Sequence, residues 1–365
     1  MKIMHIVPSL NRGGAERFVV DLCNELSKKE QVFLVTMFDN VENSFVDEVS
    51  KNVTLISLGK RAGFDIRIFR RIRRLLKELN PDVINSHLNT LEYLVPSVLL
   101  ESKIRFFHTL HSVAEKEALN RYVIYFRKML FQKRVIPITI SPIVHKSFVE
   151  VYGLNDRDCL IMNGRPKLQV DEKAVHEIIQ SFSVHRDSKL FVSVGRISAV
   201  KNQLALVKAF KRFNNEQNNM HTLIVLGDVQ DERLYQELVA EIQNCCEHIF
   251  LLGGKSNVAD YLAASDAFCL VSLYEGMPIS VIEAFCIGCI PLCTPVGGIV
   301  DMIEDQVTGY LASGVSVDSL YHNFQRFVES GHLDSIRKNI QESFNLKYHI
   351  SITAGIYLNS YKTIC

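Results

Sequence analysis

Strong net charge is missing from this sequence: 41 Lys and Arg stand against 40 Asp and Glu, a formal +1 at pH 7. That balance excludes a surface built as a whole for nucleic acid, which calls for a basic face. Long apolar runs are missing too. None reaches the roughly 18 residues a bilayer span needs, so no membrane crossing is expected. The nine cysteines are scattered without paired spacing and no secretory leader is recognised, so reduced thiols in the cytoplasm are expected rather than disulfides. No low-complexity tract or fixed-period repeat is present. With 47% hydrophobic and 22% charged residues, the chain has the apolar content for packed cores and little room for disorder.

At 365 residues the chain exceeds ordinary single-domain size, and two domains are expected. Short apolar runs at 2–7, 32–37, 53–57, 83–85, 105–110 and 136–140 read as strands, with helix-period segments such as 15–27 and 66–79 between them. Alternation of this kind predicts a parallel sheet covered on both faces. A polar stretch follows, and the pattern restarts with strands at 190–194, 221–226, 249–251, 267–270 and 290–293. The expected fold is therefore α/β, two Rossmann-like doubly wound parallel-sheet domains facing a central cleft. The expected boundaries are 1–165, a linker at 166–187, 188–345, and a C-terminal helical segment at 346–365 that packs back toward the first domain.

Ligands of open parallel sheets bind beyond the carboxyl ends of the strands, and the residues there carry the chemistry. Glu275-Gly276-Met277-Pro278-Ile279-Ser280-Val281-Ile282-Glu283 sets two carboxylates seven residues apart across a loop-to-helix junction. Pro278 suits a first helical turn. The amides starting that helix, with its positive end, suit an anion or sugar hydroxyls. Arg196 and Lys201 follow another strand end, Val194-Gly195-Arg196; two cations there can neutralise a diphosphate without a metal. Asn11-Arg12-Gly13-Gly14-Ala15-Glu16-Arg17 follows the first strand, and its paired glycines permit close backbone approach. It is not the G-x-G-x-x-G of dinucleotide binding. Asn85-Ser86-His87 and His108-Thr109-Leu110-His111 end two further strands.

With Ser265-Asp266 before the glutamate motif and Gly288, Pro291, Gly297-Gly298 and Gly309-Tyr310-Leu311 after it, the chain resembles the group 1, or family 4, retaining glycosyltransferases. The resemblance implies a GT-B fold, a nucleotide-sugar donor as co-substrate with a UDP-sugar favoured over GDP-mannose, and retention of anomeric configuration. No metal or other cofactor is expected. It assigns His111, Arg196, Lys201 and Glu275 to catalysis. Arg196 and Lys201 fall on the donor phosphates, His111 beside the transferred sugar, and Glu275 on sugar orientation. Gly13, Gly14, Gly276, Met277, Pro278, Ile279 and Glu283 fall to donor binding, Glu283 on the ribose. Asn163-Gly164 resembles the family's interdomain hinge. Two departures stand out: Asn85 lies where the family often has histidine, and Gly227-Asp228-Val229 lacks the final glycine of the family's Gly-Asp-Gly turn.

Other signals are read as structural. Cys286, Cys289 and Cys293 suit packing at a helix end and in a strand better than a metal. Asp156-Arg157-Asp158 matches the D-x-D of metal-dependent transferases in form but lies in a loop, and solvated charge is expected there. His108 reads as structural, and His87 as structural or functional. The alternatives are a non-catalytic GT-B carbohydrate or nucleotide-binding scaffold and another GT-B enzyme, a sugar-nucleotide epimerase or phosphorylase. The acceptor is expected to be a glycan or lipid-linked glycan of surface polysaccharide synthesis, with no nucleic acid partner. Two basic stretches interleaved with apolar residues, from Arg61 through Phe64 and Ile66 to Lys77 and from Arg121 to Arg134, suit an anionic membrane surface. The expected location is cytoplasmic, peripheral at the inner face of the cell membrane.

Overall fold

Runs of Val, Ile, Leu and Phe that are apolar on both faces suit strands covered by helices on either side. In the computed structural model they form two such sheets. Residues 1–39, 44–63, 65–118, 120–183, 187–218, 221–243 and 248–363 are described. The chain divides into two units, Met1–Pro166 with Tyr348–Cys365, and Lys167–Lys347.

Unit 1 carries β1 (Lys2–Val7), β2 (Gln31–Thr36), β3 (Val53–Ser57), β4 (Val83–His87), β5 (Arg105–Leu110), β6 (Val135–Thr139) and β7 (Cys159–Leu160). Its sheet order is β3-β2-β1-β4-β5-β6-β7, with every pair parallel. Unit 2 carries β8 (Leu190–Val194), β9 (Thr222–Leu226), β10 (Ile249–Gly253), β11 (Ala267–Leu270), β12 (Ile290–Cys293) and β13 (Tyr310–Leu311). Its parallel order is β10-β9-β8-β11-β12-β13. The order reverses between β1 and β4 in the first sheet and between β8 and β11 in the second. These are the switch points at which open α/β sheets leave a crevice for ligands.

The C-terminal helix Ile350–Thr363 belongs to unit 1 and packs against helix Gly14–Leu26. Its buried Ala354, Tyr357 and Tyr361 face that unit's core. Arg165 and Tyr348 start the return, joined by a bond from the Arg165 amide to the Tyr348 carbonyl (2.9 Å), and the buried Arg165 guanidinium pairs with Asp21. Residues 166–187 differ from a simple linker. Helix Glu172–Phe182 packs on helix Val258–Ala264 within unit 2, and the Asp171 amide donates to Asp260 (2.8 Å).

Three surface expectations change. Asp158 is not solvated: its carboxylate is shut from solvent and accepts from Thr139 and from His145 Nδ1 (2.9 Å), tying helix Pro142–Tyr152 to β6. Of the first basic stretch, Phe64 lies outside the described residues. Ile68, Ile72 and Leu76 of helix Arg67–Leu79 face the core, Arg67 pairs with Asp65, and Arg71 donates to the carbonyls of Leu58 and Gly59. Of the second, Arg127 is 1% exposed and held by Glu92 at 2.8 Å. A buried guanidinium needs a paired carboxylate. Among the described residues no helix is long and apolar enough to cross a membrane.

Candidate active site

The unit 2 residues singled out from sequence gather at the carboxyl ends of β8 and β11, the two strands flanking the switch point. Arg196 stands two residues past β8, exposed, and its guanidinium makes no hydrogen bond or ion pair among the described residues. Lys201 closes the short turn Ala199–Lys201, and its Nζ meets Glu275 Oε1 at 2.6 Å. The same oxygen accepts from the buried Ser272 hydroxyl, also at 2.6 Å. The ammonium and the carboxylate thus already stand together in this crevice.

Backbone packing fixes the two loops. Gly227 has φ +152, and a Cβ on it would lie 1.9 Å from the Gly195 carbonyl oxygen, so only glycine lets the turn after β9 pass beneath the Arg196 loop. The Ile197 amide donates to the Asp228 carbonyl (2.9 Å), giving Asp228 a backbone role there. Gln203 Nε2 donates to the Arg196 carbonyl (2.8 Å), and the Leu273 amide to that of Val200 (2.8 Å), tying the cation loop to the glutamate loop. Gly297, at φ +54, supports Glu275 in the same way: a Cβ there would sit 1.8 Å from the Glu275 carbonyl oxygen.

Helix Ile279–Ile287 starts one residue later than expected, with Pro278 as its extended N-cap (φ −72, ψ 120). Fixed φ makes proline as acceptable before the helix as within its first turn. The amides of Ile279 and Ser280 begin the helix without intrahelical acceptors. Gly276, Met277 and Pro278 are buried in the preceding loop, and Glu283 lies half-buried along the helix. Of these residues the structure brings Lys201 and Glu275 into direct contact, beyond the carboxyl ends of two adjacent strands; Arg196 lies on the Lys201 loop and Glu283 on the helix that follows Glu275.

Gly13, Gly14 and His111 belong to unit 1. Gly13 is the extended N-cap of helix Gly14–Leu26, with no side chain capping it, and Gly14 opens the first turn exposed. His111 follows β5. Its Nε2 is 2.9 Å from His87 Nδ1, and His87 Nε2 is 2.9 Å from His5 Nδ1. Three imidazoles from β1, β4 and the end of β5 thus form one chain. Burial lowers His5 to about 3, and it lowers His111 to about 4 even though the nearby Glu117 carboxylate pulls that histidine upward. His87 is held well below its ordinary value, first by burial and then by the other histidines. All three are neutral near pH 7, so each inner link needs one donor and one acceptor nitrogen.

Glu117 completes the surroundings. Its carboxylate accepts from the amides of His111 and Ser112 (3.1 Å for the latter) and lies 3.7 Å from both His108 and Arg127. Burial pushes its pKa up, but His108 and Arg127 outweigh that and leave it lowered. Asn85 is turned inward to Thr109 (3.0 Å) and Tyr361 (2.8 Å), a structural post in this chain. His5, Glu117, Ser272 and Gln203 were not singled out from sequence. His5 lies on a strand and Ser272 two residues past one, positions that could have marked them; Glu117 and Gln203 lie in helices and carried no such signal.

Two doubly wound parallel sheets of this order, each open at its switch point, define the GT-B class of two-domain α/β proteins. Comparison makes the assignment specific. Residues 175–343 match the family model "Glycosyl transferases group 1", and residues 12–165 match "Glycosyltransferase Family 4". The chain belongs to the group 1 glycosyltransferases. It is 27% identical over 299 residues to the capsular polysaccharide biosynthesis glycosyltransferase CapH of Staphylococcus aureus, covering 80% of each chain. It is 24% identical over 361 residues, 93% of each chain, to the N-acetylgalactosamine-N,N'-diacetylbacillosaminyl-diphospho-undecaprenol 4-alpha-N-acetylgalactosaminyltransferase of Campylobacter jejuni. The crystal structure of Anabaena Alr3699/HepE in complex with UDP and glucose shares the fold with a TM-score of 0.83 at 18% identity, over the whole of both chains.

Proposed function

We propose that this glycosyltransferase moves a hexose or N-acetylhexosamine from a UDP-sugar to a lipid-linked glycan in surface polysaccharide synthesis, with retention of configuration and without a metal. The observation that carries the reading is the Lys201–Glu275 pair beyond β8 and β11 of unit 2, with Glu275 four residues before helix Ile279–Ile287 and Arg196, exposed and unpartnered among the described residues, on the same loop as Lys201. A nucleoside diphosphate leaving group gains charge as the glycosidic bond breaks. Two fixed cations and a helix N-terminus stabilise that charge more in the transition state than in the ground state. Lys201 can turn from Glu275 toward the phosphates, or bridge the two. Glu275, freed or shared, orients sugar hydroxyls, and Glu283 accepts from the ribose. His111 hydrogen-bonds the transferred sugar. The backbone of Gly276, Met277, Pro278 and Ile279 lines the donor, and the family resemblance adds Gly13 and Gly14 to donor binding.

The relatives' names support the acceptor class, since the Campylobacter jejuni relative is named for a diphospho-undecaprenol acceptor. A peripheral membrane position fits the cations of helix Arg67–Leu79. Arg70, Arg73, Arg74 and Lys77 are exposed and without partners among the described residues. Nearby Ile66, Leu99 and Leu100 are 70%, 69% and 64% exposed. Titration calorimetry with UDP, GDP and ADP in excess chelator tests the donor reading. UDP should bind at least tenfold tighter than GDP or ADP, and Arg196→Ala should weaken it. Binding of none, or binding restored only by a divalent ion, contradicts it.

A further inference from the structure

The row of imidazoles in unit 1 is closed at one end and open at the other. His5, its inner member, is fully buried, and its Nε2 has no hydrogen-bond partner among the described residues. Its ring stacks on that of His87, with centroids 5.2 Å and planes 18° apart, and Tyr361 flanks it. His111, the outer member, is half-buried just past β5. Its Nε2 is taken by His87, so Nδ1, also without a partner among the described residues, is the ring nitrogen left for a ligand. His5 and His87 have been given no part in the reaction.

Three contacts hold His111. The Glu117 carboxylate accepts from the amides of His111 and Ser112 and so fixes the backbone. Phe18, on helix Gly14–Leu26, meets the imidazole edge to face with centroids 5.9 Å apart. His87 Nδ1 engages Nε2. Of the three, only the His87 contact uses a ring nitrogen, so His87 decides which nitrogen of His111 carries the proton.

The proton positions follow from counting. A neutral imidazole has one N–H and one bare nitrogen, and a link between two rings needs one of each. The links here are His5 Nδ1 to His87 Nε2 and His87 Nδ1 to His111 Nε2, both 2.9 Å. With the His87 proton on Nδ1, its bare Nε2 requires Nδ1–H on His5. The bare acceptor in the other link is then His111 Nε2, which puts that proton on Nδ1 as well. With the His87 proton on Nε2, the same reasoning puts all three on Nε2. No mixed arrangement satisfies both links, so the three rings share one tautomer. Turning His111 alone would set two N–H groups or two lone pairs face to face in a buried site, where an unmade bond is costly. Burial, which keeps all three rings neutral, keeps this rule in force.

We propose that His87, backed by His5, is a positioning residue that fixes the ring and the tautomer of His111, so that Nδ1 meets the transferred sugar with a single hydrogen-bonding polarity. A free imidazole presents either polarity at that nitrogen. The row removes the wrong one before the sugar arrives, and no free energy of binding is lost in selecting it. The proposal rests on the transferase reading above, in which His111 touches the sugar, and its test separates the two.

Long-range proton–nitrogen NMR on protein labelled at the histidine nitrogens reads each tautomer, with His5→Gln, His87→Leu and His111→Ala assigning the signals. Circular dichroism checks that each variant is folded. The native protein should show one tautomer in all three rings, and His87→Leu should release His111 into a mixture. Turnover is measured with UDP-glucose, UDP-galactose and their N-acetylamino counterparts. On the donor consumed fastest, His87→Leu should lower kcat at least tenfold with UDP affinity within twofold. His87→Asn, whose amide can donate or accept near the place of Nδ1, should keep at least a third of the native kcat. In a His111→Ala background, His87→Leu should slow turnover less than twofold further, because it acts through His111. Unlike tautomers in the native rings, additive losses in the double variant, or a folded His87→Asn as slow as His87→Leu would each overturn the proposal. A native protein that consumes none of the four donors sinks the transferase reading instead, and the tautomers then judge the row by themselves.

Discussion

The histidine chain makes unit 1 sensitive to acid, and the effect of its inner member can be worked out. His5 is fully buried and its pKa is pushed down by that burial to about 3, from an ordinary 6.5. Between those values the unfolded chain binds a proton that the folded chain does not, so stability falls as pH falls. The full contribution is present above pH 6.5 and is lost progressively toward pH 3. At pH 5 the loss is 2.303RT times the logarithm of 1 plus 10 to the power 1.5, about 2 kcal/mol. The figure barely changes if the folded value is 3 or 4, because pH 5 lies above both. His87, His108 and His111 are shifted in the same direction and add to the slope. The check is urea denaturation at pH 7.5 and pH 5, followed by circular dichroism because the chain has no tryptophan, for the native protein and His5→Gln. The native protein should lose about 2 kcal/mol more than the variant over that interval. Equal losses, or a His5 resonance titrating near its ordinary value, would refute the neutral buried chain.

Gly297→Ala should cost at least about 2 kcal/mol in stability and lower turnover more than tenfold, since the new methyl meets the Glu275 carbonyl. Gly331→Ala, where a Cβ meets nothing within 4 Å, should change stability by less than about 0.5 kcal/mol; thermal melts and a donor-consumption assay compare the two. Lys201→Ala and Glu283→Gln should each slow turnover at least tenfold, about 1.4 kcal/mol in barrier, with the melting temperature little changed; near-normal rates in both would remove them from the donor site. Sedimentation with anionic vesicles should fall when Arg70, Arg73 and Arg74 are replaced by Ser, at about 1 kcal/mol per cation. Arg71 is spared because it holds the Leu58 and Gly59 carbonyls. Binding that ignores the replacement would remove this helix as the membrane contact.

The sheets were legible because most of their strands are short, predominantly apolar runs. The runs at 2–7, 53–57, 105–110, 190–194, 267–270 and 290–293 coincide with β1, β3, β5, β8, β11 and β12. β7 and β13 have two residues each, too few for any period to show. The glutamate and cation motifs were visible because each follows a strand and carries its partners within a few residues. The Lys201–Glu275 contact joins residues 74 apart, and only the adjacency of β8 and β11 brings them together. The histidine chain was not legible: its links span 82 and 24 residues, and a histidine on an apolar strand looks the same whether it packs alone or in a row. Asp158 misled for the related reason that a loop carboxylate gives no sign of its burial.

The central claim is the transfer of a sugar from a uridine diphosphate donor by the cations and carboxylates of unit 2. The most direct measurement incubates the protein, in excess chelator, with a panel of UDP-, GDP- and ADP-sugars and a membrane lipid extract as acceptor. Released nucleotide is quantified, and the anomeric configuration of the product is read by NMR. The account predicts UDP release from an α-linked donor with an α-linked product, abolished in the Arg196→Ala and Lys201→Ala double variant. Release from no donor, release that needs an added divalent ion, or a β-linked product from that donor would contradict it.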